Sequence, residues 1–282
     1  MTYCVGIAMN AGLVFVSDSR TNAGVDQVST YSKMHVFDTA PDRVIVVLAA
    51  GNLATTQGIT ERLENDLVSG AMRNLNTPVR FSELADYVGE VSVAEQQKVG
   101  GGPEYEVSLI VGGQIANERP QVMLVYPQGN HITTSEDTPF LQIGESKYGK
   151  PILDRIIGVD TALETAVLCA LVSMDSTMRS NLTVGPPIEA LVYKTDAFVL
   201  PPRMRFTENS EYLRSLRVAW DQKLKEAFHQ LPPLAWAANW DASGQPPAPP
   251  LKAAPAPDAV QPTVEQSPGI QQMQDPSAPF VS

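Results

Sequence analysis

The chain has 282 residues, a formal net charge of −11 and an isoelectric point near 4.7, with 43% hydrophobic and 18% charged residues, enough for one sizeable core with additions. That acidic balance excludes a phosphate-seeking basic face, so no nucleic-acid partner is expected. Two cysteines far apart, Cys4 and Cys169, exclude a disulfide framework, and His35, His131 and His229 lack the paired spacing of a metal site.

From the N-terminus, short runs rich in Val, Ile and Phe alternate with turn signals. Strands are predicted at Tyr3–Met9 and 13–17, joined across Asn10-Ala11-Gly12, and at 33–38 and 43–49, joined across Thr39-Ala40-Pro41-Asp42. Such close spacing predicts one antiparallel sheet of four strands. Gly51 stands at the following strand-to-helix corner. Helical periodicity then covers 53–72, through Ile59, Leu63, Leu67 and Val68, and 81–99, through Leu84, Val88 and Val91, with Ser82 as the expected cap. Gly100-Gly101-Gly102-Pro103 breaks the chain. It has neither the Lys nor the Ser/Thr of a phosphate loop and follows a helix, so it reads as a plain loop.

Residues 105–112 and 121–126 are apolar enough for strands of a second sheet buried on both faces. A strand at 140–143 leads into Gly144-Glu145-Ser146-Lys147-Tyr148-Gly149-Lys150. Helices are predicted at 153–157 and 162–174, and strands at 189–195 and 197–200 close the folded part. Residues 210–231 carry an amphipathic helix with Tyr212, Trp220 and Phe228 among its apolar positions, a composition suited to a subunit contact. Residues 232–282 collect about half of the chain's 23 prolines together with Ala, Gln, Gly and Ser, and are expected to be a disordered tail. The first residues lack the basic stretch and apolar core of a secretory signal, and no run reaches membrane-spanning length, so a cytoplasmic protein without a membrane partner is expected.

Chemistry concentrates in the first thirty-three residues. Thr2 follows the initiator Met1, and Ser17-Asp18-Ser19-Arg20 and Tyr31-Ser32-Lys33-Met34 lie at spacings that hairpin turns can fold back onto it. A threonine hydroxyl needs a base before it can attack a carbonyl, and a free α-amine on the same residue, with a reference pKa of about 7.7–8.0, can serve. Lys33 would lower the cost of the alkoxide, and Asp18 would hold and balance Lys33. Met1 must first be removed, and a methionine aminopeptidase suffices before so small a residue. Gly51 is the candidate oxyanion donor. Taken singly, each of these residues also fits an ordinary strand, cap or turn; the set at these spacings is what points to an enzyme.

These residues, with Ala49-Ala50-Gly51, resemble the proteasome-type N-terminal threonine hydrolases. Within them the first 230 or so residues are most similar to the bacterial ancestral β-subunit family, Anbu, and less so to HslV. The Asp175-Ser176-Thr177-Met178-Arg179-Ser180-Asn181-Leu182 run favours the Anbu branch. The resemblance implies an α+β fold, a four-layer αββα sandwich, with residues 2–205 as the hydrolase domain, 206–231 as the added helix and 232–282 as the tail. It implies a peptidase or amidase that needs no metal or organic cofactor, acts on a peptide or small amide and assembles as a homo-oligomer. Whether that oligomer is a ring or an open helix, and whether an ATPase feeds it, is not encoded in one chain. Two supporting positions depart from the family pattern: Glu145 stands where a serine is expected, and Ser180 where an aspartate is expected, with Thr183 at the place of a second serine. Ser19 and Ser146 complete the expected supporting hydroxyls. A carboxylate at position 145 would hold a nearby amine charged unless it points at Lys33 or Lys147.

Overall fold

Strand β1 (Tyr3–Met9) turns through Asn10 and Ala11 into β2 (Gly12–Asp18), pairing Met9 with Gly12. The computed structural model describes residues 1–22, 28–200 and 202–232, and every element below lies in the unit Met1–His229. β2 leads into a two-stranded ribbon, β3 (Arg20–Asn22) and β4 (Val28–Thr30). Then come β5 (Met34–Val36), β6 (Arg43–Gly51), helices α1 (Leu53–Val68) and α2 (Phe81–Lys98), and a 3-10 turn at Pro103–Tyr105. Strands β7 (Val107–Ile115), β8 (Gln121–Val125), β9 (His131–Thr133) and β10 (Phe140–Gly144) follow. The described chain ends with α3 (Lys150–Ile156), α4 (Leu163–Ser180), β11 (Ile188–Lys194), β12 (Met204–Phe206) and α5 (Glu211–His229).

Two five-stranded sheets, β10-β1-β2-β11-β12 and β5-β6-β7-β8-β9, are antiparallel throughout and pack face to face. Side-chain alternation divides each strand between two cores. On β6, Val44, Val46 and Leu48 meet Leu13, Phe15 and Leu191 between the sheets, while Ile45, Val47 and Ala49 pack under α1 and α2 with Ile59, Leu63, Leu84 and Val88. On the opposite outer face Tyr3, Val5, Ile7, Val14 and Val16 pack against Leu153, Ala170, Leu171 and Met174 of α3 and α4. The result is an αββα sandwich, as expected. Each fully buried Val, Leu, Ile or Phe contributes roughly 1.5–3 kcal/mol of transfer free energy, so three such layers supply most of the driving force.

Four local expectations are corrected. The four N-terminal strands do not share a sheet: β1 and β2 lie in one, β5 and β6 in the other, with the β3–β4 ribbon between them in sequence. Residues 197–200 are not a strand, because Asp196 (φ 60°) and Phe198 (φ 43°) adopt left-handed backbone that breaks extension, and the edge strand is β12. Helix α2 is capped from Arg80: the Glu83 carboxylate accepts from the Val79 and Arg80 N–H groups at 3.0 and 3.2 Å, and Glu118 accepts from Phe81 N–H at 2.8 Å. Helix α4 runs six residues beyond the predicted end at 174. Helix α5 lies along α4, anchored by Leu213 and Leu216 and by the Arg217–Asp175 and Arg179–Asp221 pairs, each at 2.6 Å. The expectation for the tail falls, from residue 233 on, outside the described residues.

Candidate active site

Thr2 enters the fold at the join of β1 and β10. Its carbonyl accepts the Glu145 N–H at 2.7 Å, and Tyr3 pairs with Gly144. Gly144 has φ 81°, and a Cβ there would lie 2.0 Å from the Thr2 carbonyl oxygen, so only glycine lets β10 close on the N-terminus.

Asp18, the last residue of β2, is fully buried and organises the site. Its Oδ1 accepts from Lys33 Nζ at 2.7 Å and from the Tyr3 N–H at 3.0 Å, and its Oδ2 accepts from the Gly185 N–H at 3.3 Å. One carboxylate therefore ties together the start of β1, the lysine and the loop before β11. Burial pushes this carboxyl upward, and Lys33, first among its partners, pulls it back toward the ionised form. Lys33 is 8% exposed and also donates to the Arg20 carbonyl at 2.7 Å. An ammonium has three N–H donors, so one is left for the cavity that Lys33 borders.

That cavity has a volume of about 390 Å³ and is lined by Met1, Thr2, Thr21, Lys33, Ala49, Gly51 and Ser108, among others. Gly51 closes one side, at the end of β6, with φ 141°. A Cβ here would lie 2.2 Å from the Glu106 carbonyl oxygen, so the pairing of β6 with β7 itself demands the glycine, whatever its part as a candidate oxyanion donor. The Met1 side chain is exposed, but its α-amine sits beside the charged pair. Burial lowers that amine below its ordinary value and Lys33 lowers it further, while Asp18 and Glu145 oppose them.

The supporting residues divide. Glu145 is 6% exposed and is partnered by groups other than Lys33: its carboxylate accepts from Asn181 Nδ2 at 3.0 Å and lies 3.6 Å from Lys147 Nζ. Asn181 Oδ1 in turn accepts from the Thr183 N–H at 3.0 Å and from its hydroxyl at 2.6 Å, so Thr183 reaches Glu145 through Asn181. Ser146 is half-buried and acts through its backbone, its N–H donating to Gly144 at 3.1 Å and its carbonyl accepting from Lys150 at 3.0 Å. The Ser19 hydroxyl is buried with no hydrogen-bond partner among the described residues. Ser180 is corrected: it is the exposed last residue of α4 and borders a separate cleft with Arg179, Trp220 and Asp221, because the helix continues through this run instead of turning into the site.

Three participants escaped the sequence reading. Asn181 follows the last helical residue of α4 in extended backbone, without the left-handed turn that marks an Asn terminator, so its local sequence carried no signal. Gly185 and the Arg20 guanidinium, which donates to the Leu182 carbonyl at 2.8 Å, carry no local signature. Among the described residues no group of three or more His, Cys, Asp or Glu side chains is placed to hold a metal, and no helix is long and apolar enough to cross a membrane.

With this geometry in hand, residues 2–192 match the family model of the proteasome subunit. No curated protein matches. Among solved structures the chain is similar to Anbu (ancestral beta-subunit) from Yersinia bercovieri, with 44% identity, a TM-score of 0.79 and coverage of 82% of this chain and 99% of that one. It is likewise similar to the helical assembly of the Anbu complex from Pseudomonas aeruginosa, at 43% identity and TM-score 0.78 over 84% and 100% of the two chains. A third, Anbu from Hyphomicrobium sp. strain MC1, gives 40% identity and TM-score 0.76 over 82% and 99%. A threonine between Met1 and the start of β1, a buried Asp–Lys pair beside it and a two-sheet sandwich thus converge with sequence identity over most of the chain, which belongs to the proteasome family and, within it, to the ancestral β-subunit proteins, Anbu.

Proposed function

We propose that this protein is an N-terminal threonine hydrolase cleaving peptide or amide bonds within a homo-oligomer, once Met1 has been removed. The observation that carries the reading is the Lys33 ammonium, buried and fixed at 2.7 Å on both Asp18 and the Arg20 carbonyl, at the edge of a cavity shared by Thr2 and Gly51. In the proposed reaction Thr2 Oγ forms a bond to the substrate carbonyl carbon and its proton passes to the Thr2 amine. Lys33 stabilises the developing alkoxide, and the Gly51 end of β6 faces the oxyanion. Collapse breaks the C–N bond, the leaving amine takes the proton from the Thr2 ammonium, and water then hydrolyses the ester. Asp18, without contacting substrate, keeps Lys33 charged and in place.

The helical assembly of the Pseudomonas aeruginosa relative supports self-association here. Helix α5 offers a face for it: Tyr212, Val218, Leu224 and Phe228 are exposed on the helix whose Leu213 and Leu216 are packed inward.

The test is intact mass before and after incubation with a peptide epoxyketone, which captures an N-terminal threonine through both its hydroxyl and its amine. Loss of Met1 and a single adduct on Thr2 are expected. Thr2→Ala should give no adduct and no turnover while keeping its oligomeric size by light scattering; turnover in that variant would remove the mechanism. Processed protein that never forms an adduct would favour a binding or scaffold subunit, and an adduct without peptide cleavage would favour a non-peptidase amidase with the same nucleophile.

A further inference from the structure

Lys33 lies in a gap in the secondary structure. Strand β4 ends at Thr30 and β5 begins at Met34, so residues 31–33 are held by individual bonds instead of a continuous ladder. Tyr31 N–H donates to the Ser19 carbonyl at 3.0 Å, and the Lys33 carbonyl accepts from Ala49 N–H at 3.0 Å. A third set comes from the far end of the chain. Arg203, just before β12, donates through Nη1 to the Met34 carbonyl at 2.9 Å and to Ser32 Oγ at 3.1 Å. Ser32 Oγ also lies 2.6 Å from Glu189 Oε2, and Arg203 Nε lies 3.7 Å from Glu189 Oε1. A hydroxyl has one proton, and the shorter, charged contact takes it, which leaves the Met34 carbonyl to the arginine. The residues on both sides of Lys33 are therefore gripped by one guanidinium and one carboxylate.

Glu189 is 3% exposed, in β11 opposite Ser17. A carboxylate so buried is costly unless paired, and a packed apolar residue would stabilise a strand at least as well. Its partners are the two groups that hold the lysine segment. We propose that Arg203, braced by Glu189 and Ser32, is a positioning residue that sets Lys33 against Asp18 and the Thr2 cavity, an inference that rests on the hydrolase reading above. Through it the start of the C-terminal edge strand bears on the lysine without touching substrate. The planar fork is needed because one head group serves Ser32, Met34 and Glu189 together, which a lysine ammonium on the same stem does not reproduce.

The experiment uses full-length protein with Met1 removed, as wild type, Arg203→Met, Arg203→Lys and Ser32→Ala, with two independent readouts. One is the Lys33–Asp18 geometry in a crystal structure of each variant. The other is the rate of epoxyketone capture at Thr2 as a function of probe concentration. In Arg203→Met, Lys33 Nζ should move beyond ~4 Å from Asp18, the usual limit of an ion pair. The maximal capture rate should fall about 10- to 100-fold, as for a misplacement of ~1 Å, with half-saturation unchanged. Added methylguanidinium should recover part of the rate, and Arg203→Lys should fall between. Ser32→Ala, which deletes one hydroxyl, gives the same two readings should Arg203→Met fail to fold. An unmoved Lys33 in these variants overturns the proposal whatever the capture rates, as does an unchanged rate in a protein whose wild type is captured. If wild type is not captured but Lys33 is displaced in the variants, the hydrolase reading falls and the positioning role stands.

Discussion

Lys33 and Asp18 are better understood as one buried pair than as two residues. Removing the lysine alone leaves a fully buried carboxylate without its main partner, which in comparable sites costs about 3–5 kcal/mol. Lys33→Met should therefore lose both Thr2 capture and stability to urea at pH 7. Asp18 is already pushed upward by burial, and loss of Lys33 pushes it further. A raised carboxyl pKa gives stability that is complete at low pH and lost as the pH climbs through it, so the defect of Lys33→Met should shrink on acidification. Lys33→Met combined with Asp18→Asn should recover most of the stability and none of the capture; recovery of capture would mean the lysine has no catalytic part. Glu145 makes a second pH prediction. Burial and Lys33 lower the Met1 amine and Glu145 opposes them; in the proposed processed form the Thr2 amine stands near the same carboxylate. Glu145→Gln should lower that amine's pKa and move the ascending limb of the pH–capture profile to lower pH; an unmoved limb would show that the Asn181 and Lys147 contacts already neutralise Glu145.

Among the elements, β2 bears the most weight, because it pairs with β1 and β11 and feeds both cores. Phe15 at its centre is fully buried, and its ring lies where any side chain at position 112 would stand. Phe15→Ala should cost about 3–5 kcal/mol in chemical denaturation, the range of large aromatic deletions; a loss below about 1 kcal/mol would mean the sheets close over the gap. The strand runs were legible from their apolar content, but their partners were not. Residues 12–18 and 43–49 are buried on both faces, so hydrophobic pattern carries no face label, and short connections wrongly suggested one sheet. Residues 197–200 are apolar yet not a strand, since the positive φ at Asp196 and Phe198 belongs to a turn that hydropathy does not register.

At the scale of the whole molecule, α5 adds an outward apolar face to the sandwich, with Tyr212, Val218, Leu224 and Phe228 exposed. Its inward side is fixed to α4 by two ion pairs and by Leu213 and Leu216, so its outward apolar residues can be changed without touching the core. Phe228→Glu should leave the unfolding midpoint of the dissociated subunit within experimental error and lower the mass of the assembly measured by light scattering. An unchanged mass would place the subunit contact elsewhere.

The sequence by itself named the candidate residues and determined most of the elements that carry them. Thr2, Asp18, Lys33 and Gly51 were identifiable because their residue types and spacing in short strands are local properties, and the helices at 53 and 81 because their periodicity is. Only the tertiary structure decided which groups actually meet. Asn181 and Gly185 reach Glu145 and Asp18 from more than thirty and more than a hundred and sixty residues away, while Ser180, one position from Asn181, faces another cleft. The difference is one of range: helix and strand formation depends on neighbours in the chain, whereas a site is closed by hydrogen bonds across strand pairings, and hydropathy pattern does not specify the register of strands buried on both faces.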